Sequence, residues 1–218
     1  MSALFPKPFN TVARVSAALA LGVPAVATAV LLLYQRTSYA TGQFHPYEQP
    51  VEFDHRHHVK DVGIDCRFCH HSVEVAATAG IPPTQVCMGC HGQVWNRSPL
   101  LDLVRNAYFT DRPIAWKRVH NLPDFVYFNH SIHVNKGVGC VSCHGRVDDM
   151  PSVMQVAELT MGFCLDCHRN PERHIRPKEE ITNLAWAPPR GVDPIDLGKK
   201  LIQEYDIHPR TSCSTCHR

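Results

Sequence analysis

This sequence has no cysteine outside one repeated pattern and little net charge. All 10 Cys of the 218-residue chain belong to copies of Cys-x-x-Cys-His, and none is left over. The copies are Cys66–Cys69–His70, Cys87–Cys90–His91, Cys140–Cys143–His144, Cys164–Cys167–His168 and Cys213–Cys216–His217. The formal net charge of +2 says little about partners, since it omits haem propionates and iron, and no nucleic-acid partner is expected.

A histidine follows every cysteine pair, and this disfavours other uses of cysteine. A disulfide framework needs no such histidine. A zinc site or a thioredoxin-like redox pair would explain one or two copies but not all of them. The pattern is typical of covalent haem c, in which two thiols add to the porphyrin vinyl groups and the histidine binds the iron. We therefore expect five covalently bound haem c groups.

A unit with two motifs occurs twice in the chain. Residues 53–91 and 128–168 each contain Phe-x-His-x-x-His followed by two motifs, and the fifth motif ends the chain at 213–217. Histidines three apart lie on one side of a helical turn, so we expect each pair to supply sixth ligands to two different irons. The predicted ligands are His55, His58, His130 and His133, with His57 as a competitor for His55 or His58. Which histidine binds which iron stays open.

The C-terminal motif has no obvious partner. His120, just before the second unit, is our candidate for the sixth ligand of its iron. A methionine ligand would instead raise the reduction potential of that haem. The alternatives are His45, His71, His174, His208, Met150, Met154 and Met161.

One long apolar run lies near the N-terminus. Residues 15–34 contain no charge and would reach about 30 Å as a helix, enough to cross a bilayer core. Pro24 is tolerated in membrane helices. Lys7 and Arg14 precede the run, which favours a cytoplasmic N-terminus.

A cleaved signal peptide is the alternative for this run. The small residues Ser38 and Ala40 would suit a peptidase, but the run is longer than the usual apolar segment of a signal peptide. We therefore predict a cytoplasmic stub and retained transmembrane helix at 1–36, in the bacterial inner membrane. Haem c is attached on the far side of an energy-transducing membrane, so we predict a periplasmic pentahaem domain at 37–218.

The predicted fold class is mainly α-helical and irregular, organised by the haems. Five porphyrins supply buried apolar surface, so the domain does not need an ordinary core. The 17 Pro fit short helices separated by irregular chain. Ser98–Pro99 and Asp193–Pro194 are predicted to begin two amphipathic helices that pack rather than bind.

Several stretches resemble the pentahaem cytochrome subunit of alternative complex III, and the resemblance covers nearly the whole chain. The most specific is the run from Trp116 to His133, WKRVHNLPDFVYFNHSIH. Others are Gly63–Cys66, Cys140–Asp148 and Cys164–Glu172. The two-haem unit alone is shared more widely, with cytochromes of the c3 and c7 type.

This resemblance implies a role in a respiratory chain. In that family a membrane assembly oxidises quinol and reduces a periplasmic acceptor. The pentahaem subunit would take electrons from an iron–sulfur subunit and pass them to a monohaem cytochrome or a soluble carrier. Integral membrane subunits would hold the quinol site, so this chain would be a relay within an enzyme.

Two other functions fit parts of the pattern. A self-sufficient quinol dehydrogenase that feeds a periplasmic reductase would share the anchor and the haems. A catalytic multihaem enzyme needs a five-coordinate haem, often marked by a departure from Cys-x-x-Cys-His, and no copy departs here. The sequence therefore favours the relay.

Overall fold

The described part of the N-terminal unit contains two helices. A computed structural model describes residue 6 and residues 8–217, and Lys7 lies outside the described residues. The chain divides into two compact units, Met1–Gly42 and Gln43–Arg218. The first contains α1 (Pro8–Tyr34) and α2 (Ser38–Thr41).

Helix α1 has the length and composition of a membrane span. It has 27 residues with Pro24 inside, and its described side chains are exposed along the whole helix. Arg14, expected before the span, lies within the helix. A signal sequence meets the same criteria of length and apolar character. The prediction of one apolar N-terminal helix is confirmed, and its role as a retained anchor stays a prediction.

The second unit is built from short helices and irregular chain, as predicted. Its described residues contain no β-strand, only isolated bridges such as that between Val126 and His217. A π-helical turn covers Arg56–Asp61. The α-helices are α3 (Cys66–Cys69), α4 (Thr84–His91), α5 (Asp102–Thr110), α6 (His130–Asn135), α7 (Val141–His144), α8 (Met161–Arg169), α9 (Pro194–Glu204) and α10 (Cys213–Cys216). Turns of 3₁₀ helix occupy Pro99–Leu101, Val147–Asp149, Pro171–Arg173 and Lys178–Glu180.

The chain's own hydrophobic core is sparse. One cluster joins Val51, Leu101 and Val104, and the partly buried Cys87 and Met88 pack against it. No large side chain among the described residues is fully buried. Close-packed interiors are the rule in domains of this size, so this fold depends on apolar surface that the side chains alone do not provide.

Side-chain caps begin the two predicted amphipathic helices, and both predictions are confirmed. The Ser98 hydroxyl accepts a hydrogen bond from Leu100 N, and a 3₁₀ turn leads into α5. The Asp193 carboxylate accepts hydrogen bonds from Ile195 N and Asp196 N at the start of α9. Such caps satisfy N–H groups that the first turn of a helix leaves unpaired.

Gly198 allows α9 to pack closely against the turn at Pro171–Arg173. A Cβ atom at this position would overlap the carbonyl oxygen of Glu172, a backbone atom that cannot rotate away. We expect Gly198→Ala to lower the free energy of unfolding of the holoprotein by about 1–3 kcal/mol, as overpacking does. Thermal unfolding followed by haem absorbance measures the change.

Gly162→Ala is the matched control, since its Cβ would meet only Thr160 Oγ1, at an ordinary 3.8 Å. Equal destabilisation of the two variants would contradict the packing role of Gly198.

Candidate haem sites

Each of the five cysteine motifs overlaps a short helix; Cys140 is the N-cap of its helix, and His70 and His217 are the C-caps of theirs. Cysteines at positions i and i+3 face the same side of a helical turn, which lets both reach one edge of a porphyrin. Burial raises the pKa of the Cys66 thiol to about 11 and that of the Cys143 thiol to about 12. These sulfur atoms are therefore neutral and apolar, which suits contact with a porphyrin edge.

Backbone carbonyls hold most of the motif imidazoles. A ring Nδ1–H that donates to a carbonyl leaves Nε2 free to bind a metal, the usual arrangement of ligating histidines. The Nδ1 to oxygen distances are 2.7 Å for His70 to Gly80, 3.1 Å for His91 to Val94, 2.8 Å for His168 to Arg210 and 3.2 Å for His217 to Phe125.

His144 departs from this arrangement. Its Nδ1 lies 3.3 Å from Nε2 of His120, and the two ring centres are 4.3 Å apart at 75°. Burial, followed by the positive charges of His120, His130 and His70, lowers the pKa of His144 to about 3. The ring is neutral at physiological pH, which is the form that can bind iron.

Carbonyls also hold three of the four repeat histidines. His58 Nδ1 donates to Asp54 O at 2.9 Å, His130 Nδ1 to Ala77 O at 2.8 Å and His133 Nδ1 to Asn129 O at 2.7 Å. His55 differs, because its buried Nδ1 has no partner among the described residues. A buried ring nitrogen without a hydrogen bond is costly, and at His55 a metal bond would satisfy it only if Nδ1 were the ligating atom.

Motif and repeat imidazoles face each other in pairs. The ring centres are 6.1 Å apart for His58 and His91, 6.1 Å for His133 and His168, and 6.3 Å for His130 and His144. An iron between two imidazoles, with metal–nitrogen bonds of about 2 Å, holds the ring centres about 6 Å apart. The donor set and its spacing therefore fit six-coordinate haem iron.

The remaining pair is His55 and His70. Burial, followed by the charges of His70 and His58, lowers the pKa of His55 to about 4. The His70 ring is held by the carbonyl of Gly80, at 2.7 Å from Nδ1. Within the described residues, no group of three or more His, Cys, Asp or Glu side chains could hold a metal ion. Haem iron needs only two protein ligands, because the porphyrin supplies the others.

An aromatic ring touches both repeat histidines in each unit, a contact that the sequence reasoning did not identify. Phe53 stacks on His58 at 4.3 Å and meets His55 edge-on at 4.7 Å. Phe128 stacks on His133 at 4.5 Å and meets His130 edge-on at 4.8 Å. The signal was present, because phenylalanine begins both copies of the repeat.

Other candidate ligands lie elsewhere. His57 and His208 are exposed and lie 3.5 Å and 2.6 Å from the carboxylates of Asp61 and Asp206. The ring nearest to His217 is Phe125, at 5.8 Å, and no second imidazole is in ring contact with His217 within residues 8–217. The structure thus places His120 beside His144, and its assignment to the C-terminal haem stays a prediction.

Comparison with known proteins identifies the chemistry of the C-terminal part. Residues 126–218 match the family described as cytochrome c7 and related cytochrome c. A stretch of 98 residues is 35% identical to the menaquinone reductase multiheme cytochrome c subunit of Nitratidesulfovibrio vulgaris. That match covers 44% of this chain and 46% of the relative, so the chain spans about half the length of the curated relative it matches. Residues 126–218 are therefore cytochrome c7-like, and the cysteine pairs of this part are of the kind that attach haem c.

Phe128 should control two haems at once. We expect Phe128→Leu to loosen both His130 and His133, since aromatic pairs contribute about 0.5–1.5 kcal/mol beyond their buried area. The electron paramagnetic resonance g values of two low-spin haems should shift, with the haem content unchanged. Phe53→Leu is the matched control and should shift a different pair of signals. Shifts in the same signals for both variants would contradict the assignment of one phenylalanine to each unit.

Proposed function

We propose that the chain is a pentahaem c-type cytochrome that relays single electrons. The observation that carries the proposal is the spacing of 6.1–6.3 Å between facing imidazoles, which fits iron held by two histidines. The count of five haems rests on the five motifs of the sequence. Each motif supplies two cysteines for covalent attachment and one histidine for the iron.

We assign the sixth ligands in the two units on the basis of the ring pairs. His58 faces His91 of the Cys87 haem, which leaves His55 as the repeat histidine for His70 of the Cys66 haem. The second unit repeats this plan. There, His133 faces His168 and His130 faces His144. The two histidines of each Phe-x-His-x-x-His turn therefore serve different irons.

The protein groups keep each site rigid during electron transfer. Haem iron supplies the one-electron chemistry and changes little in geometry when both axial ligands are strong-field imidazoles. The carbonyls of Asp54, Ala77 and Asn129 fix the orientation of their histidines and increase the basicity of Nε2. Bis-histidine ligation gives a lower potential than a histidine–methionine pair.

We place the relay at the bacterial inner membrane. Helix α1 would anchor the chain in a single pass, with the N-terminus in the cytoplasm and the haem unit in the periplasm. Haem c attachment outside the cytoplasm supports this orientation.

The partners we propose belong to a quinone-linked membrane complex. The relative is named as a subunit of a menaquinone reductase, which supports a link to the quinone pool. The Trp116–His133 run favours alternative complex III, with an iron–sulfur subunit, a monohaem cytochrome and integral membrane subunits. That complex oxidises quinol, whereas the name of the relative indicates quinone reduction, so the direction of flow depends on the partners.

Removal of one sixth ligand tests the haem assignment. We expect His133→Ala to convert one haem, that of Cys164, from low-spin to high-spin, visible in the electron paramagnetic resonance spectrum of the oxidised holoprotein. His57→Ala is the matched control, since His57 is exposed and lies beside Asp61. A high-spin signal in the control, with none in His133→Ala, would overturn the ligand plan.

Quinol oxidation separates a relay from a complete enzyme. We expect the isolated full-length holoprotein to remain oxidised when a menaquinol analogue is added, and its haems to be reduced when the intact membrane complex is used. Optical haem spectra measure the reduction. Rapid reduction of the isolated chain would instead support a self-sufficient quinol dehydrogenase.

A further inference from the structure

Two histidines three residues apart place the two haem sites of each unit next to each other. His55 precedes the π-helical turn and His58 lies within it, with Phe53 in contact with both rings. His58 pairs with His91 of the Cys87 motif, and its carbonyl accepts from Ile64 N at 3.0 Å, two residues before Cys66, so the sites of the Cys66 and Cys87 motifs are neighbours. The same holds in the second unit, where Phe128 joins the sites of the Cys140 and Cys164 motifs.

The segment Ala76–Gly80 connects the two units. Gly80 O accepts from His70 Nδ1 at 2.7 Å, and Ala77 O accepts from His130 Nδ1 at 2.8 Å. The backbone N–H groups of His130 and Ser131 also donate to Ala77 O and Ala76 O, at 3.1 and 3.2 Å. One five-residue segment therefore positions a ligand of the Cys66 haem and a ligand of the Cys140 haem.

The segment Ala76–Gly80 contacts one haem site of each unit. His70 belongs to the first motif of the first unit, and His130 pairs with His144 of the first motif of the second unit. No such contact joins the segment to His58, His91, His133 or His168 among the described hydrogen bonds. The segment therefore links the Cys66 site, rather than the Cys87 site, to the Cys140 site.

The C-terminal site is connected to the Cys164 site by a contact of His168, in α8. His168 Nδ1 donates to Arg210 O at 2.8 Å, and Arg210 lies three residues before Cys213. The segment that holds the imidazole of the Cys164 motif therefore leads directly into the C-terminal motif. The neighbour of the C-terminal site is thus the Cys164 site.

We infer that the haem sites form a single series whose order differs from the order of the motifs in the sequence. The inference rests on the proposed haem ligation. The first two motifs are reversed, so that the second motif of the sequence lies at one end and the fifth at the other. The order of the sites is Cys87, Cys66, Cys140, Cys164, Cys213.

This order gives the relay two terminal haems and three internal ones. Each internal site has two neighbours, whereas each terminal site has one. The link between the units is the step from the Cys66 haem to the Cys140 haem. The short segment at Ala76–Gly80 fixes that step.

Anomalous diffraction at the iron edge tests the order in the full-length holoprotein. We expect the iron of the Cys140 site to have the irons of the Cys66 and Cys164 sites as its nearest neighbours. A nearest-neighbour relation between the Cys87 and Cys140 irons would overturn the order. Five irons with two imidazoles in another order would overturn only this inference, whereas an iron count other than five would overturn the proposed function.

Removal of single haems provides a second test by redox titration. Loss of the terminal haem in the double variant Cys87→Ala/Cys90→Ala should shift the potential of one remaining haem. Loss of an internal haem in Cys140→Ala/Cys143→Ala should shift two. Equal numbers of shifted haems in the two variants would contradict the series.

Discussion

The hydrogen bond from a histidine Nδ1–H to a backbone carbonyl is the interaction on which the rest of this structure depends. It occurs at seven of the nine histidines assigned to the ring pairs and the C-terminal motif. Each bond fixes the plane of the ring and leaves Nε2 as the metal-binding nitrogen. Because carbonyls belong to the backbone, the positions of the irons follow from the path of the main chain.

This dependence explains why the second unit can have so little core. Its buried hydrophobic residues are few, and its helices are mostly a single turn or two. Short helices are marginal by themselves, and tertiary packing has to stabilise them. A covalently attached porphyrin supplies apolar surface to several elements at once, so the cofactor takes the place of a conventional interior.

The sequence predicted the features that depend on local chemistry. The caps at Ser98 and Asp193 were predictable because a side chain satisfies N–H groups only two or three residues away. The repeat predicted His55, His58, His130 and His133 as a set. The pairing of these residues was not predictable, since it depends on long-range contacts such as His130 with Ala77, and alanine carries no side-chain signal for such a contact.

The least predictable residue is His120. Its place before the second unit suggested a ligand for the C-terminal haem, whereas the structure places its ring against His144. Sequence distance gave no indication of this contact, because residues 121–143 separate the two histidines and contain a complete helix. His144 is also the one motif histidine with a side chain, rather than a carbonyl, at its Nδ1.

Near-infrared magnetic circular dichroism of the oxidised full-length holoprotein tests the central claim most directly, because it distinguishes the ligand types of low-spin haem. The account predicts at least four haems with the signature of two histidines. Fewer than four such haems, or histidine–methionine signatures at most sites, would contradict the pairing of the imidazoles.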